Sequence, residues 1–206
     1  MSRPIAIFTD LGGVLLTNGW DRHMRERAAN HFGLDIAELD ERHNLAFDAY
    51  EEGKISLDEY LERVVFHENR SFTKDDYRTF MFDQSQPFPE MLDLIRRLKA
   101  RHGLKIVVIS NEGRELTAHR IAAFGLRDFV DIFVVSCYVH FRKPDADIFR
   151  IALDTSQIRA GQTIYLEDRP LFVEVARDLG IPSLRHVSYA ETRASLSSIG
   201  LSLDDG

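Results

Sequence analysis

Ile5-Ala6-Ile7-Phe8-Thr9-Asp10-Leu11-Gly12-Gly13-Val14-Leu15-Leu16 decides how the chain is read. It opens with a short β-branched and aromatic run, the pattern of a strand buried on both faces of a parallel sheet. The run ends on a carboxylate, Asp10, and two glycines follow almost at once. In open α/β sheets ligands bind beyond the carboxyl ends of the strands, so Asp10 stands where chemistry is expected. Glycines there let the backbone turn sharply, approach a ligand closely and offer carbonyl oxygens as ligands. Taken alone, the stretch reads more readily as an Asp that merely caps a turn. Three later stretches decide between the two.

Behind Leu16 the apolar period changes from that of a strand to that of a helix. Asp21 to Phe32 reads as a helix with Met24, Ala28 and Phe32 on one stripe and Gly33 as a stop. Asp35 with Glu38 makes a capping-box-like start to a helix reaching about Tyr50. Ser56 with Glu59 repeats the device, and Thr73 caps a short helix holding Tyr77, Phe80 and Met81. Pro87-Phe88-Pro89 then breaks the pattern. Residues 17–86 therefore read as a small helical bundle inserted after the first strand, and 1–16 with 87–206 as one core domain. In that core, strands at Lys105–Ile109, Ile132–Val135, Thr163–Leu166 and Leu184–Val187 alternate with helices. The helices run at Pro89–Arg101, Arg114–Phe124, Asp145–Leu153, Leu171–Leu179 and, more weakly, Glu191–Ser198. This alternation predicts an α/β fold, a doubly wound parallel sheet with right-handed crossovers. The tail from Ser202 to Gly206 is expected to fray.

Composition narrows the function. The 206 residues suffice for a full core and a small second domain. Acidic residues number 33 against 26 basic ones, a net charge of -7, which argues against nucleic acid or an anionic membrane as partner. An anionic substrate must then be held by a local cluster or a metal. The single cysteine, Cys137, permits no intrachain disulfide and no cysteine zinc site. The apolar run behind Met1-Ser2-Arg3-Pro4 is too short for a signal peptide, and no run approaches membrane-spanning length. A soluble, cytoplasmic protein is expected; monomer and dimer stay equally open.

Three further stretches share the position of Asp10 at a strand's carboxyl end. Val107-Val108-Ile109-Ser110-Asn111 brings a hydroxyl and an amide just ahead of a helix, whose N-terminus favours anions. Phe141-Arg142-Lys143-Pro144-Asp145 follows the third strand; Pro144 is expected to open a helix and fix where Lys143 points. Ile164-Tyr165-Leu166-Glu167-Asp168-Arg169-Pro170 sets two adjacent carboxylates at a strand end, a donor set suited to a hard cation such as Mg²⁺. Each has a plainer reading alone: a helix cap, a solvated lysine, acidic charge at a helix N-terminus.

In order, Asp, Ser, Lys-Pro and Glu-Asp resemble the haloacid dehalogenase-like hydrolase superfamily over nearly the whole chain. The start, and Ala46-Phe47-Asp48-Ala49-Tyr50-Glu51-Glu52-Gly53-Lys54-Ile55-Ser56 in the insert, resemble the bacterial subgroup that includes α-glucose-1-phosphate phosphatase. The resemblance implies a Rossmann-like core under a helical cap and a phosphatase acting on a small phosphorylated metabolite such as a sugar phosphate. It implies Asp10 as nucleophile forming an aspartyl-phosphate, and Mg²⁺ held by Asp10, the Gly12 carbonyl and Asp168, with Glu167 as a direct or supporting ligand. It further implies Lys143 pairing both anions, Ser110 donating to a phosphate oxygen and Asn111 backing that loop.

One departure is plain. Most phosphatases of this superfamily carry a second Asp two residues after the nucleophile as general acid and base, where this chain has Gly12; the similar subgroup carries Gly there too. His140 is a candidate substitute, read more simply as a loop histidine. Asn18 and Trp20, at the junction with the insert, are candidates for substrate contact, packing or hinge roles. Two other functions remain in play: a metal-free 2-haloacid dehalogenase, which would have no purpose for the Glu167-Asp168 pair, and a catalytically quiet scaffold whose cap binds a partner. A dinucleotide site is disfavoured, because Gly12-Gly13 lacks the Gly-x-Gly-x-x-Gly spacing.

Overall fold

The computed structural model describes residues 3–203. Five parallel strands, β1 (Ala6–Thr9), β2 (Lys105–Ser110), β3 (Ile132–Val135), β4 (Thr163–Glu167) and β5 (Ser183–Arg185), lie in the order β3-β2-β1-β4-β5. The chain builds outward from β1 on one side, then crosses to build on the other. The gap between β1 and β4 is thus the switch point at which such sheets bind ligands. Thr9 pairs with Val108 of β2 and Leu166 of β4, so Asp10, Ser110 and Glu167 emerge at one edge.

Four helices stand between β1 and the core helix that precedes β2: α1 (Arg22–Phe32), α2 (Ile36–Glu51), α3 (Leu57–Val64) and α4 (Lys74–Asp83). The rest are α5 (Pro89–His102), α6 (Arg114–Ala123), α7 (Ser136–Val139), α8 (Ala146–Ser156), α9 (Pro170–Asp178) and α10 (Tyr189–Ser198). Strand alternation sorts the core into two layers. Ile7, Ile106 and Val108 pack with Ile95 and Leu98 of α5 and Leu196 of α10, while Ala6, Phe8, Val107 and Ile109 pack with Phe149 of α8 and Ala176 of α9. The insert has its own apolar cluster around Tyr50, Tyr60, Leu61 and Tyr77, joined to the core by Leu116 of α6. The two linkers run side by side: Thr17 N–H donates to Gln86 O at 2.8 Å, and Gln86 N–H donates to Thr17 Oγ1 at 2.9 Å. The buried Arg120 guanidinium ties them down, bonding Thr17 O, Ser85 Oγ and the Glu112 carboxylate.

Several details differ from the sequence expectation. Asp35 caps Ala37 and Glu38 N–H groups, but Glu38 turns to Arg42 and His67, so there is no reciprocal box. True boxes form at Ser56 with Glu59 and at Thr73 with Asp76. Pro144 does not open a helix: Asp145 caps α8 through Asp147 N–H, one residue later, and the Lys143–Pro144 peptide is cis. β5 ends at Arg185, the last residue paired with β4, and Val187 beyond it is exposed. Ser202 and Leu203 do not fray; Ser202 O accepts from His102 Nε2 at 2.8 Å and Leu203 packs on the core. Residues 204–206 lie outside the described residues. Among the described residues no helix is long and apolar enough to cross a membrane.

Candidate active site

The sheet edge gathers a buried charge cluster. Asp10 leaves β1 with its N–H on Leu166 O at 3.0 Å, and its Oδ1 accepts from Leu11 N–H at 2.7 Å. Its Oδ2 lies 2.9 Å from Lys143 Nζ. Lys143 is wholly buried, and Nζ also reaches Glu167 Oε2 at 2.7 Å and the Tyr165 hydroxyl at 3.2 Å. That uses all three ammonium donors. Tyr165 in turn donates to Glu167 Oε2 at 2.5 Å. Burial works against the charge on Lys143, but Asp10 and Glu167 outweigh it and hold its pKa above the ordinary lysine value. Burial pushes the Asp10 carboxyl up, opposed chiefly by Lys143 and also by the Ser110 side chain.

One ammonium therefore faces more than one carboxylate. Asp10, Glu167 and Asp168 each offer an oxygen within 4.8 Å of the others. Their surroundings differ. Glu167 is saturated, with Oε2 on Lys143 and Tyr165 and Oε1 accepting from Arg169 N–H at 3.0 Å. Asp168 Oδ1 is buried with no hydrogen-bond partner. A buried carboxylate oxygen without a donor is costly, and a bound cation relieves it. The donor set, all oxygen, fits Mg²⁺; Asp10 and Asp168 could hold it directly, and the engaged Glu167 is better placed to support them. Gly13 is required by this arrangement: its φ is +77°, and a Cβ there would sit 2.4 Å from Asp168 Oδ2. Gly12 is not so constrained, since its φ is outside the left-handed region.

Above the cluster lies a cavity of about 380 Å³, closed on the far side by α1 and α2 of the insert. Asp10, Gly12, Ser110, Asn111 and Lys143 line its floor, and Asn18 and Trp20 reach it from the linker. Asn111 is held fast at both ends of its amide, donating to Lys143 O at 2.9 Å and accepting from Lys143 N–H at 2.8 Å. It positions the lysine loop, while the Ser110 side chain hydrogen-bonds the Asp10 carboxylate. His140 lies elsewhere: it is exposed, has φ +62°, and its Nδ1 hydrogen-bonds Glu52 O at 2.7 Å, away from the cavity lining.

Sequence reading missed half of the cavity. Tyr165 had a usable signal, because it lies two residues before Glu167 and must share its face of β4. The insert's Arg25, His43 and Glu51 had none, since helical spacing alone does not say which polar residues turn inward. Glu51 is buried and pairs with Arg142 at 2.6 Å, while Arg142 also binds Asp48. Burial, only partly opposed by Arg142, raises the Glu51 pKa to about 7.

Comparison with known proteins follows the same outline. The haloacid dehalogenase-like hydrolase profile matches residues 6–180. Over 203 residues the chain is 24% identical to D-ribitol-5-phosphate phosphatase of Bacteroides thetaiotaomicron, covering 94% of this chain and 97% of that one. A magnesium complex of a haloacid dehalogenase family enzyme from Bacteroides thetaiotaomicron superposes with a TM-score of 0.76 at 20% identity, over 90% of this chain and 94% of the other. The chain spans only 9% of mouse acyl-CoA dehydrogenase family member 10, to which it is 28% identical, and 11% of pig bifunctional epoxide hydrolase 2, at 32% identity. Fold, charged strand edge and family profile agree, and the chain belongs to the haloacid dehalogenase-like hydrolases.

Proposed function

We propose that this hydrolase is a Mg²⁺-dependent phosphatase for a small phosphorylated metabolite, with residues 17–86 as a cap over a core of 1–16 and 87–206. The observation that carries the reading is the Asp10–Lys143 contact of 2.9 Å on the floor of the cavity under the insert, with the orphaned Asp168 oxygen beside Asp10. Asp10 attacks phosphorus and the ester oxygen leaves with the bonding pair, taking a proton from solvent to become the alcohol; water then attacks phosphorus, freeing Asp10 and inorganic phosphate. A carboxylate meeting a phosphate is repelled by about 4 kcal/mol per charge pair at contact near a protein surface. Lys143, held charged between its carboxylates, offsets part of that. A Mg²⁺ on Asp10, Asp168 and the Gly12 carbonyl would supply the remaining positive charge. Ser110 donates to a phosphate oxygen, Asn111 keeps the Lys143 loop in register, and the cap excludes water. The full-length likeness to a sugar-alcohol phosphate phosphatase and the magnesium complex of a similar enzyme support both substrate class and metal.

A panel of phosphorylated metabolites and p-nitrophenyl phosphate, assayed with Mg²⁺ and with EDTA, tests the reading. Phosphate release that needs Mg²⁺ and vanishes in Asp10→Asn is expected. Activity indifferent to EDTA, with chloride released from 2-haloacids, would replace it with the dehalogenase reading.

A further inference from the structure

The cap wall of the cavity is a hydrogen-bonded relay with a fixed direction. Trp20 Nε1–H can only donate, and it donates to the Tyr60 hydroxyl at 3.1 Å. The Tyr60 proton is thereby left for the other neighbour, His43 Nδ1, at 2.8 Å. Accepting at Nδ1, a neutral His43 must carry its proton on Nε2. Nothing contradicts neutrality: burial and the adjacent Arg25 charge lower the His43 pKa to about 3, against a weaker opposing pull from Asp40. His43 lines the cavity, and among the described residues its Nε2 bonds to nothing. Arg25 stands beside it, 7% exposed, also lining the cavity. Its Nε is fixed on Asp40 at 2.8 Å and its Nη1 on Trp20 O at 3.0 Å, leaving N–H donors of the fork unused.

Two buried, rigidly held groups that only donate therefore face the space opposite the Asp10 floor. Most of the charged acceptors around them are already paired, and the Asn18 and Asn44 amides, which donate as well as accept, complete the lining. Asp40 holds Arg25 and Arg22, Glu51 and Asp48 hold Arg142, and Asp21 caps α1 through Met24 N–H. A hydroxyl placed between Arg25 and His43 would accept from them but bring no charge to the free donors of the Arg25 guanidinium, where a charged acceptor makes the stronger bond. A carboxylate, which only accepts, satisfies both.

We propose that Arg25 and His43 form a subsite for a carboxylate on the leaving group, so that the preferred substrates are phosphate esters of hydroxy acids. This rests on the phosphatase reading of the same cavity and narrows it. The relay makes Tyr60 a positioning residue, which acts on substrate only through the His43 tautomer.

Matched pairs of esters test the subsite without any variant: 2-phosphoglycolate against 2-hydroxyethyl phosphate, and 3-phosphoglycerate against glycerol 3-phosphate, with p-nitrophenyl phosphate and D-ribitol 5-phosphate alongside. The wild type should favour the acid of each pair by about tenfold or more in kcat/KM, mostly through KM. Arg25→Gln and His43→Leu should bring the ratio close to one. His43→Gln, which can still donate, should restore part of it; Tyr60→Phe, which removes only a hydroxyl, should lower it with little change in kcat. Equal or better use of the alcohols or of D-ribitol 5-phosphate by the wild type overturns the carboxylate subsite while leaving the phosphatase reading intact. Failure to hydrolyse even p-nitrophenyl phosphate with Mg²⁺ overturns both. A wild-type preference for acids that Arg25→Gln and His43→Leu, shown folded by circular dichroism, leave unchanged places the carboxylate elsewhere.

Discussion

The floor and the roof of the cavity are built on different principles. The floor is assembled by the sheet: Asp10, Ser110 and Glu167 arrive at strand ends set by backbone pairing, and Lys143, from the loop behind α7, sits between the Asp10 and Glu167 carboxylates. The roof is assembled by packing, with Trp20, Arg25, His43 and Tyr60 drawn from a linker and three helices and joined by single hydrogen bonds. A floor of this kind suits chemistry that must not move, and a roof of this kind can be altered residue by residue. The two should answer differently to substitution.

Asp10→Asn should have the largest effect. It keeps shape and removes the nucleophilic charge, so turnover on p-nitrophenyl phosphate should fall by roughly four orders of magnitude or more while the fold persists. Retained turnover would exclude the aspartyl-phosphate route.

Stability separates the two regions next. Lys143→Met strands the Asp10 and Glu167 carboxylates in a buried site and should cost about 3–5 kcal/mol, lowering Tm by roughly 10 °C. Arg25→Met also removes a buried guanidinium, yet Asp40 remains partly exposed and keeps Arg22. About 1–2 kcal/mol is expected there. Thermal denaturation of both decides; equal losses would mean the roof is as tightly charge-coupled as the floor.

Glu51 gives a milder effect with a direction. Its folded pKa, raised to about 7 by burial, exceeds the ordinary glutamate value of 4.5. The stability it adds is complete below that ordinary value and is lost as pH rises through about 7. The difference in Tm between wild type and Glu51→Gln should therefore shift against wild type from pH 5 to pH 8, by the equivalent of roughly 3 kcal/mol at most. A flat difference would mean that Glu51 stays charged on Arg142 throughout.

The same contrast explains what is legible in the sequence. Strand ends carry a local signature, an apolar run stopped by a polar residue, so the amino-acid order alone marks Asp10, Ser110, Glu167 and Asp168; Lys143, behind α7, is marked only by the proline that follows it, and helical spacing marks the insert as a bundle. Roof residues have no such signature. Arg25 sits in a helix with polar residues on several faces, and whether it turns inward depends on Asp40 fifteen residues away and on a carbonyl of the linker. Pairs such as Arg120 with Glu112 and Thr17 are hidden for the same reason, since a helix, the loop before it and the linker bring them together only in three dimensions.

Gly12 lies where floor and roof meet, and changing it should have the smallest effect. A leaving group of low pKa departs unprotonated, so p-nitrophenyl phosphate gains little from a general acid, whereas a primary-alcohol phosphate gains much. An Asp at this position can enter the fold. The backbone there is not left-handed, and the new Cβ would meet Asn18 Oδ1 at 3.2 Å, the movable tip of a side chain, with the Asn18 Cα at an ordinary 3.6 Å. Gly13 is the contrasting neighbour, closed to any side chain by its φ and by Asp168. Gly12→Asp should therefore fold, bind Mg²⁺ and raise turnover on primary-alcohol phosphates relative to p-nitrophenyl phosphate by roughly three- to tenfold, below the 10²–10⁴ of a fully positioned acid. Rapid-quench measurement of phosphate release on both ester types, in wild type and variant, checks it. Equal or smaller gains on the alkyl esters would mean that the wild type already has a proton donor. That donor would have to be a roof group rather than His140, whose ring is bound to the Glu52 carbonyl outside the cavity.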